Sequence, residues 1–486
     1  MDNVFDLVII GGGSAAFAAA IRTSELGGRA AIINDGLPIG GTCVNVGCVP
    51  SKAFIRAAES HYRAGHLPHV GIAATSHIAD YSAVSGDVQQ LVSGLQQSKY
   101  IDVVRGDANV EIIRGRGRFV ASHAVAVEVR AEWVRARRVL IATGARTWYP
   151  DVPGLRAAAD GHGAGRILTN ESLYQMRELP EHVVVLGGRY VALENAQWLA
   201  RMGANVTVLQ RSGRILPDEA ADVTAELTTH LSAEGIRLET GIELSEVLAD
   251  GRGVRIHTNK GVFEGTHVFV ALGRQGNTED LGLGALGGQP ETNGAPDSAG
   301  VQLHGRGFVR ADPTLRTGVP DVFAAGDVLG GQMFVYTAAY EGRLAAENAL
   351  QDMHKQVDYS ALPWVVFTDP QVAGVGLDER QAKEAGMRVD AAVVPLKHVP
   401  RAQAARDTRG FIKLIRNTDT DELVGARVVA PEGGELLMEA ALAIQMGVTV
   451  DWLASMFHPY LTLSEGIKLA AISFGKDVEK LSCCAV

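Results

Sequence analysis

Three observations predict that this 486-residue chain folds as an α/β protein of several units. A strand, a glycine turn, a small-residue helix and a second strand follow one another at the N-terminus. The same succession recurs from His182, and from about Asp358 onward strand-like and helix-like patterns alternate again. Strands alternating with helices imply parallel sheets covered on both faces, and the length exceeds what one hydrophobic core serves.

The first unit is "DLVIIGGGSAAFAAAIRTSELGGRAAIIND". Gly11, Gly13 and Ala16 occupy the G-x-G-x-x-G/A positions, where a tight turn lets a pyrophosphate approach a helix N-terminus. Asp35 closes the second strand about 20 residues on, where a carboxylate accepts hydrogen bonds from a ribose. A dinucleotide site is therefore expected here.

The second unit is "HVVVLGGRYVALENAQWLARMGANVTVLQRSGR". Gly187 and Ala192 keep the pattern, whereas Arg189 replaces the middle glycine and weakens it. The second strand runs into Gln210 and Arg211 instead of an acid. Arg211 can pair with a 2′-phosphate, which favours NADP over NAD; the alternative is a solvated surface charge. Two dinucleotide units suggest electron traffic between two ligands.

The strand-to-glycine stretches "VLIATGA", with Gly144, and "VALGRQGN", with Gly273, bracket the second unit as an insertion. Beyond them "DVFAAGDV" sets Asp327 just after a strand and a glycine, placed to hold a polyol or phosphate. The expected division is 1–148 and 276–355 for the first nucleotide domain, 149–275 for the second and 356–486 for the C-terminal αβ domain.

Half of the four cysteines lie in "GGTCVNVGCVPSK". Cys43 and Cys48 are separated by four residues in a glycine- and proline-constrained turn, which can bring two sulfurs within disulfide reach as it enters a helix. Lys52 follows one helical turn beyond Cys48. The other two, Cys483 and Cys484, stand side by side in the tail "KLSCCAV", where packing explains little and soft-metal capture explains more.

Composition narrows the partners. A formal net charge of −10 disfavours nucleic acid and anionic membranes, and no apolar run approaches the roughly 18 residues of a spanning helix. A cytoplasmic location is expected, since no targeting segment stands out and so few cysteines suit a reducing compartment.

The cysteine segment, the two nucleotide units and their order resemble the flavoprotein pyridine nucleotide-disulfide oxidoreductases over essentially the whole chain. The resemblance implies an FAD domain, an NADPH domain and a C-terminal dimerisation domain, with an active site shared between the subunits of a homodimer. It implies that FAD is held by Gly11, Gly13, Ala16, Asp35, Gly41, Thr42, Lys52, Gly144 and Asp327. NADPH falls to Gly187, Tyr190, Glu194, Arg211 and Gly273. Cys48 is then the thiol beside the flavin and Cys43 the exchange thiol. Lys52 pairs with Glu194, and Tyr190 gates the nicotinamide pocket.

Within that family, disulfide reductases carry a histidine base in an H-P-T-x-S-E pattern. Here "FHPYLTLSEG" aligns Glu465 with the end of the pattern and puts Tyr460 at the histidine position. His458 falls two residues away and is expected to be a surface or interface histidine. Tyrosine, with a reference pKa near 10, is a poor base for a leaving thiolate at neutrality. A tyrosine there, the paired tail thiols and the stretches "VVFTDPQVAGVG" and "PRAQAARDTRGFIKL" are similar to the mercuric reductases. That branch implies Hg(II), arriving as a thiol complex, as the substrate. Cys483 and Cys484 would deliver it to Cys43 and Cys48 of the partner subunit. No leading domain with its own Cys-x-x-Cys is seen, so the tail pair is expected to be the entry point. The alternatives are a thioredoxin-reductase-like enzyme and a non-catalytic thiol protein that sequesters soft metals.

Overall fold

The computed structural model describes residues 4–127, 133–161, 163–286 and 300–480. Its first sheet sets Val4–Ile10 in parallel between Ala30–Asn34 and Val134–Ile141. Val110–Arg114 extends one side, and Val322–Ala324 returns from far along the chain to pair in parallel with Val134–Ile141. Leu7, Val8 and Ile9 are almost wholly buried, which is why this strand reads as a continuous apolar run and not as an alternation.

Helix Ser14–Glu25 leaves the first glycine turn and packs on helix Val335–Gln351 through small residues, Ala15, Ala16, Ala19 and Ala20 against Ala345 and Ala346. The approach is close enough that a Cβ on Gly342 would stand 2.1 Å from the carbonyl oxygen of Ala15. A larger side chain there would force the two helices apart.

The second sheet is all parallel, in the order Arg237–Glu239, Asn205–Leu209, His182–Leu186, His267–Val270, Ile167–Leu168. Its fingerprint helix, Tyr190–Arg201, meets helix Cys48–Gly65 where Phe54 stacks on Trp198 with centroids 4.7 Å apart. The helix that begins at a cysteine is thereby braced against the second nucleotide unit.

The C-terminal sheet is antiparallel, in the order Trp364–Val366, Gln371–Gly376, Leu423–Ala430, Phe411–Asn417, Val389–Pro395. Helices Gly433–Gln445 and Glu465–Ile472 share its core. Ion pairs with buried cations tie this sheet to the second unit: Arg427 to Glu219 at 2.9 Å, Lys413 to Asp222 at 2.8 Å and Arg201 to Asp369 at 3.0 Å. Lys413 and Arg201 each keep a second carboxylate, Glu379 and Glu234, whereas removing Glu219 would leave the Arg427 charge buried without compensation, at a cost of about 3–5 kcal/mol. Among the described residues no helix is long and apolar enough to cross a membrane.

Candidate active site

A cavity of ≈ 590 Å³ runs along the C-terminal edge of the first sheet. It is lined by Gly11, Gly13, Asp35, Gly41, Thr42, Cys43, Cys48, Gly144 and Asp327; of the residues expected to hold FAD, Ala16 lies buried beneath the turn and Lys52 lines a separate, smaller pocket instead. The turn has no room for side chains. A Cβ on Gly11, whose φ is +122°, would meet the Ala142 carbonyl oxygen at 2.1 Å, and one on Gly41 would meet the Gly13 Cα at 2.8 Å. Backbone lying this close, at the N-terminus of helix Ser14–Glu25, is what a dinucleotide pyrophosphate requires. The residues present therefore fit FAD.

Cys43 lies in the short helix Gly41–Val46, and Cys48 opens helix Cys48–Gly65. Gly47 joins them with no space for a Cβ, which would come 2.8 Å from the Thr42 carbonyl oxygen. Both thiols are free and half-buried. The Cys43 thiol donates to the Cys48 sulfur, and this bond above all, with Lys52 helping, lowers the Cys48 pKa from the ordinary thiol value against the opposing effect of burial. The same bond, followed by burial, drives Cys43 upward. The two shifts run in opposite directions, so thiolate character is favoured on Cys48, at the start of a helix, over Cys43.

Lys52, one turn further on, donates to Glu194 at 2.8 Å and lies 4.5 Å from the centre of the Phe367 ring. The second Glu194 oxygen accepts the Phe367 backbone N–H at 2.8 Å. One carboxylate therefore joins the thiol helix, the second fingerprint helix and the C-terminal domain. Tyr190, the first residue of its helix, stacks between Phe334 at 6.3 Å and Trp364 at 5.7 Å. Burial pushes its hydroxyl up to about 12.

The second turn repeats the first at one position: a Cβ on Gly187 would meet the Ala271 carbonyl oxygen at 2.4 Å. The side chain of Arg189 points away from the turn to pair with Asp218 on the surface. Arg211 is exposed beyond the end of its strand, and Gly273, with a φ of +125°, accepts the Trp148 backbone N–H.

Tyr460 stands 54% exposed on the loop after helix Val450–Ser455 and is not among the residues lining the flavin-sized cavity of its own chain. His458 is not a surface histidine. Its side chain is 3% exposed and bonds Glu439 at 2.7 Å, because the loop folds back onto helix Gly433–Gln445. Cys483 and Cys484 lie outside the described residues.

The sequence of Pyridine nucleotide-disulphide oxidoreductase domains matches residues 5–342, and the dimerisation domain of the same proteins matches residues 362–471. The chain belongs to the pyridine nucleotide-disulphide oxidoreductase family. Within this family it is 38% identical over 488 residues to the mercuric reductase of Staphylococcus aureus, covering 100% of this chain and 85% of that protein. It is 39% identical to the mercuric reductase of Streptomyces lividans, covering 99% and 98%. Among solved structures, the Cu(II) complex of the HOCl-induced flavoprotein disulfide reductase RclA from Escherichia coli superposes with a TM-score of 0.83 at 26% identity, covering 97% of this chain and all 100% of that one. The chain is thus a flavin-dependent oxidoreductase of the mercuric reductase group, a group that uses FAD and a nicotinamide nucleotide, and it carries a dimerisation domain.

Several residues at this pyridine nucleotide-disulphide oxidoreductase site were not foreseen. Glu341 accepts the Gly326 N–H at 2.6 Å and the Tyr359 hydroxyl at 2.6 Å, fixing the turn that carries Asp327. Burial raises the pKa of both carboxyls, and Arg274 opposes the shift on Asp327. The signal for Glu341 was an acid set beside Gly342 in the small-residue helix that packs on Ala15. Phe334 and Trp364 carried no signal, since stacking on Tyr190 is a product of the fold.

Proposed function

We propose that this enzyme reduces Hg(II) to Hg(0) with NADPH, and that its four cysteines form a two-station exchange path within a homodimer. When bound, FAD supplies the route by which two electrons pass from the nicotinamide to the Cys43–Cys48 pair and to the metal. The turn at Gly11 and Gly13 holds the pyrophosphate, Asp35 the ribose, and Asp327, steadied by Glu341, the polyol. Tyr190 leaves its slot between Phe334 and Trp364 to admit the nicotinamide.

Cys43, the exchange thiol, would take a soft cation arriving as a thiol complex, and its proton would leave with the first displaced thiol. Cys48, beside the flavin, would bind second and displace the other. Lys52, anchored on Glu194, holds positive charge beside the thiolate. The tail cysteines of one subunit would pass Hg(II) to the pair of the other, past Tyr460 of the delivering subunit. Neutral mercury has no affinity for thiolates, so the product departs.

The single observation that carries a metal over a disulfide is the histidine position of the family pattern. Tyr460 occupies it, and the neighbouring His458 is bound to Glu439 inside its own subunit. Among the described residues of this stretch, the position that would protonate a leaving organic thiolate holds a tyrosine and not an imidazole. The test is NADPH oxidation with Hg(II) in excess small thiol, run beside oxidised glutathione and oxidised thioredoxin. Rapid turnover with Hg(II) alone is expected; disulfide turnover without Hg(II) turnover overturns the proposal.

A further inference from the structure

The hairpin His304–Phe308 projects an arginine over the second nucleotide crevice. Its strands, Leu303–His304 and Phe308–Val309, pair antiparallel, and Gly305 and Gly307 turn the chain with φ of +52° and +74°. The tip is fixed to the segment after the second sheet. Gly276 N–H donates to the Arg306 carbonyl at 3.0 Å, and the Thr278 hydroxyl donates to the Gly307 carbonyl at 2.7 Å. A Cβ on Gly276 would stand 2.3 Å from the Gly307 oxygen, so backbone meets backbone with no slack.

From this fixed tip the Arg306 guanidinium lies 3.5 Å from the centre of the Trp148 ring, and one of its nitrogens lies 2.5 Å from where a Gly273 Cβ would be. Gly273 is two residues beyond Ala271, whose carbonyl abuts Gly187 of the fingerprint turn. On the other side of that turn, Gly188 abuts the side chain of Gln210, the residue before Arg211. Arg306 and Arg211 therefore flank the turn, one from each side, and come from different sheets' neighbourhoods. Among the described residues, no carboxylate pairs with either. The positive charge of Arg211, after burial, contributes to lowering the Arg306 pKa, as expected of two cations facing one space.

We infer that Arg306 is a second arm of the NADPH site, closing on the nucleotide's 2′-phosphate opposite Arg211. This rests on the reading of the second unit as the nicotinamide nucleotide site. A phosphate between two guanidiniums relieves their repulsion and gains planar, charge-assisted hydrogen bonds from both. Trp148 already holds the Arg306 guanidinium over its ring, so little side-chain freedom is lost on binding. The two arms also explain how a turn bearing Arg189 in place of glycine still selects a phosphorylated nucleotide: charge at the rim replaces contact at the base.

The test compares wild-type holoenzyme with Arg306→Gln and Arg306→Lys by calorimetric titration with NADP⁺, NAD⁺, 2′,5′-ADP and 5′-AMP. Flavin absorbance and melting temperature establish that each variant is folded and loaded. Arg306→Gln is expected to weaken NADP⁺ and 2′,5′-ADP about tenfold while changing NAD⁺ and 5′-AMP less than twofold. Arg306→Lys should recover part of the loss, and the salt dependence of NADP⁺ binding should flatten in the Gln variant. Unchanged binding of NADP⁺, or equal loss for NADP⁺ and NAD⁺, overturns the inference and leaves Arg306 as packing on Trp148. If the wild type binds neither nucleotide, the site reading itself falls, whatever the variants do.

Discussion

The two nucleotide turns share one position and differ at the next two. At the first glycine both are closed by a carbonyl oxygen, that of Ala142 over Gly11 and that of Ala271 over Gly187. This position serves the backbone, and no side chain is admitted in either unit. At the second, a Cβ on Gly12 would meet the Asn34 amide oxygen at 2.4 Å, whereas one on Gly188 would meet the Gln210 side chain at 3.1 Å. At the third, Gly13 faces Gly41 of the thiol segment, but Arg189 swings out to Asp218. The first turn is roofed by the redox helix and suits a ligand that stays. The second is edged by arginines and a ring stack, and suits one that enters and leaves.

The largest effect should come from exchanging the third position. Gly13→Arg places in the first turn what the second tolerates, and the side chain would fill the flavin cavity beneath Gly41. The protein is expected to purify without flavin absorbance, because the arginine would occupy space the cofactor needs. A yellow, fully loaded variant would show that the roof over the first turn is not tight.

A middle-sized effect sharpens the contrast at the thiols. The hydrogen bond from Cys43, with Lys52 beside it, holds the Cys48 pKa below the ordinary thiol value, so its thiolate should survive to lower pH than that of a free cysteine and be lost as pH falls through the lowered pKa. Alkylation of the reduced enzyme should titrate on the acid side of a free cysteine. Lys52→Met removes the neighbouring charge and should shift that inflection upward by roughly one unit. No shift would mean that Lys52 acts on Glu194 alone.

The smallest effect belongs to Arg189→Gly. Its ion pair with Asp218 is exposed at both ends and is worth about 0.2–1 kcal/mol. Restoring glycine should leave the melting temperature nearly unchanged and alter the NADP⁺ dissociation constant less than about threefold. A tenfold change would make the second turn as demanding as the first.

Much of this was legible in the sequence, for definite reasons. The fingerprint glycines, Asp35, Gly41 and Gly144 announce themselves because backbone approach permits few residue types, and the structure brings all of them to one cavity. Lys52 and Glu194, 142 positions apart, were paired only through the family resemblance, and they meet at 2.8 Å. What stayed hidden depends on long-range packing. Phe334 and Trp364 frame Tyr190 only once the C-terminal sheet docks, and Arg306 reaches its crevice only because a hairpin is fixed to Gly276 and Thr278. Of the two settings expected for His458, surface or interface, the first does not hold: its side chain bonds Glu439, which lies on another element that no local pattern links to it.

The central claim is that the two electrons of NADPH end on mercury held by the Cys43–Cys48 pair. Its most direct test is to trap volatilised Hg(0) while following NADPH oxidation, with Hg(II) supplied in excess small thiol under anaerobic conditions. The account predicts about one Hg(0) released per NADPH consumed, as two-electron transfer demands. It also predicts that this yield disappears in Cys43→Ser. NADPH consumed without mercury vapour, or vapour formed equally by Cys43→Ser, would contradict it.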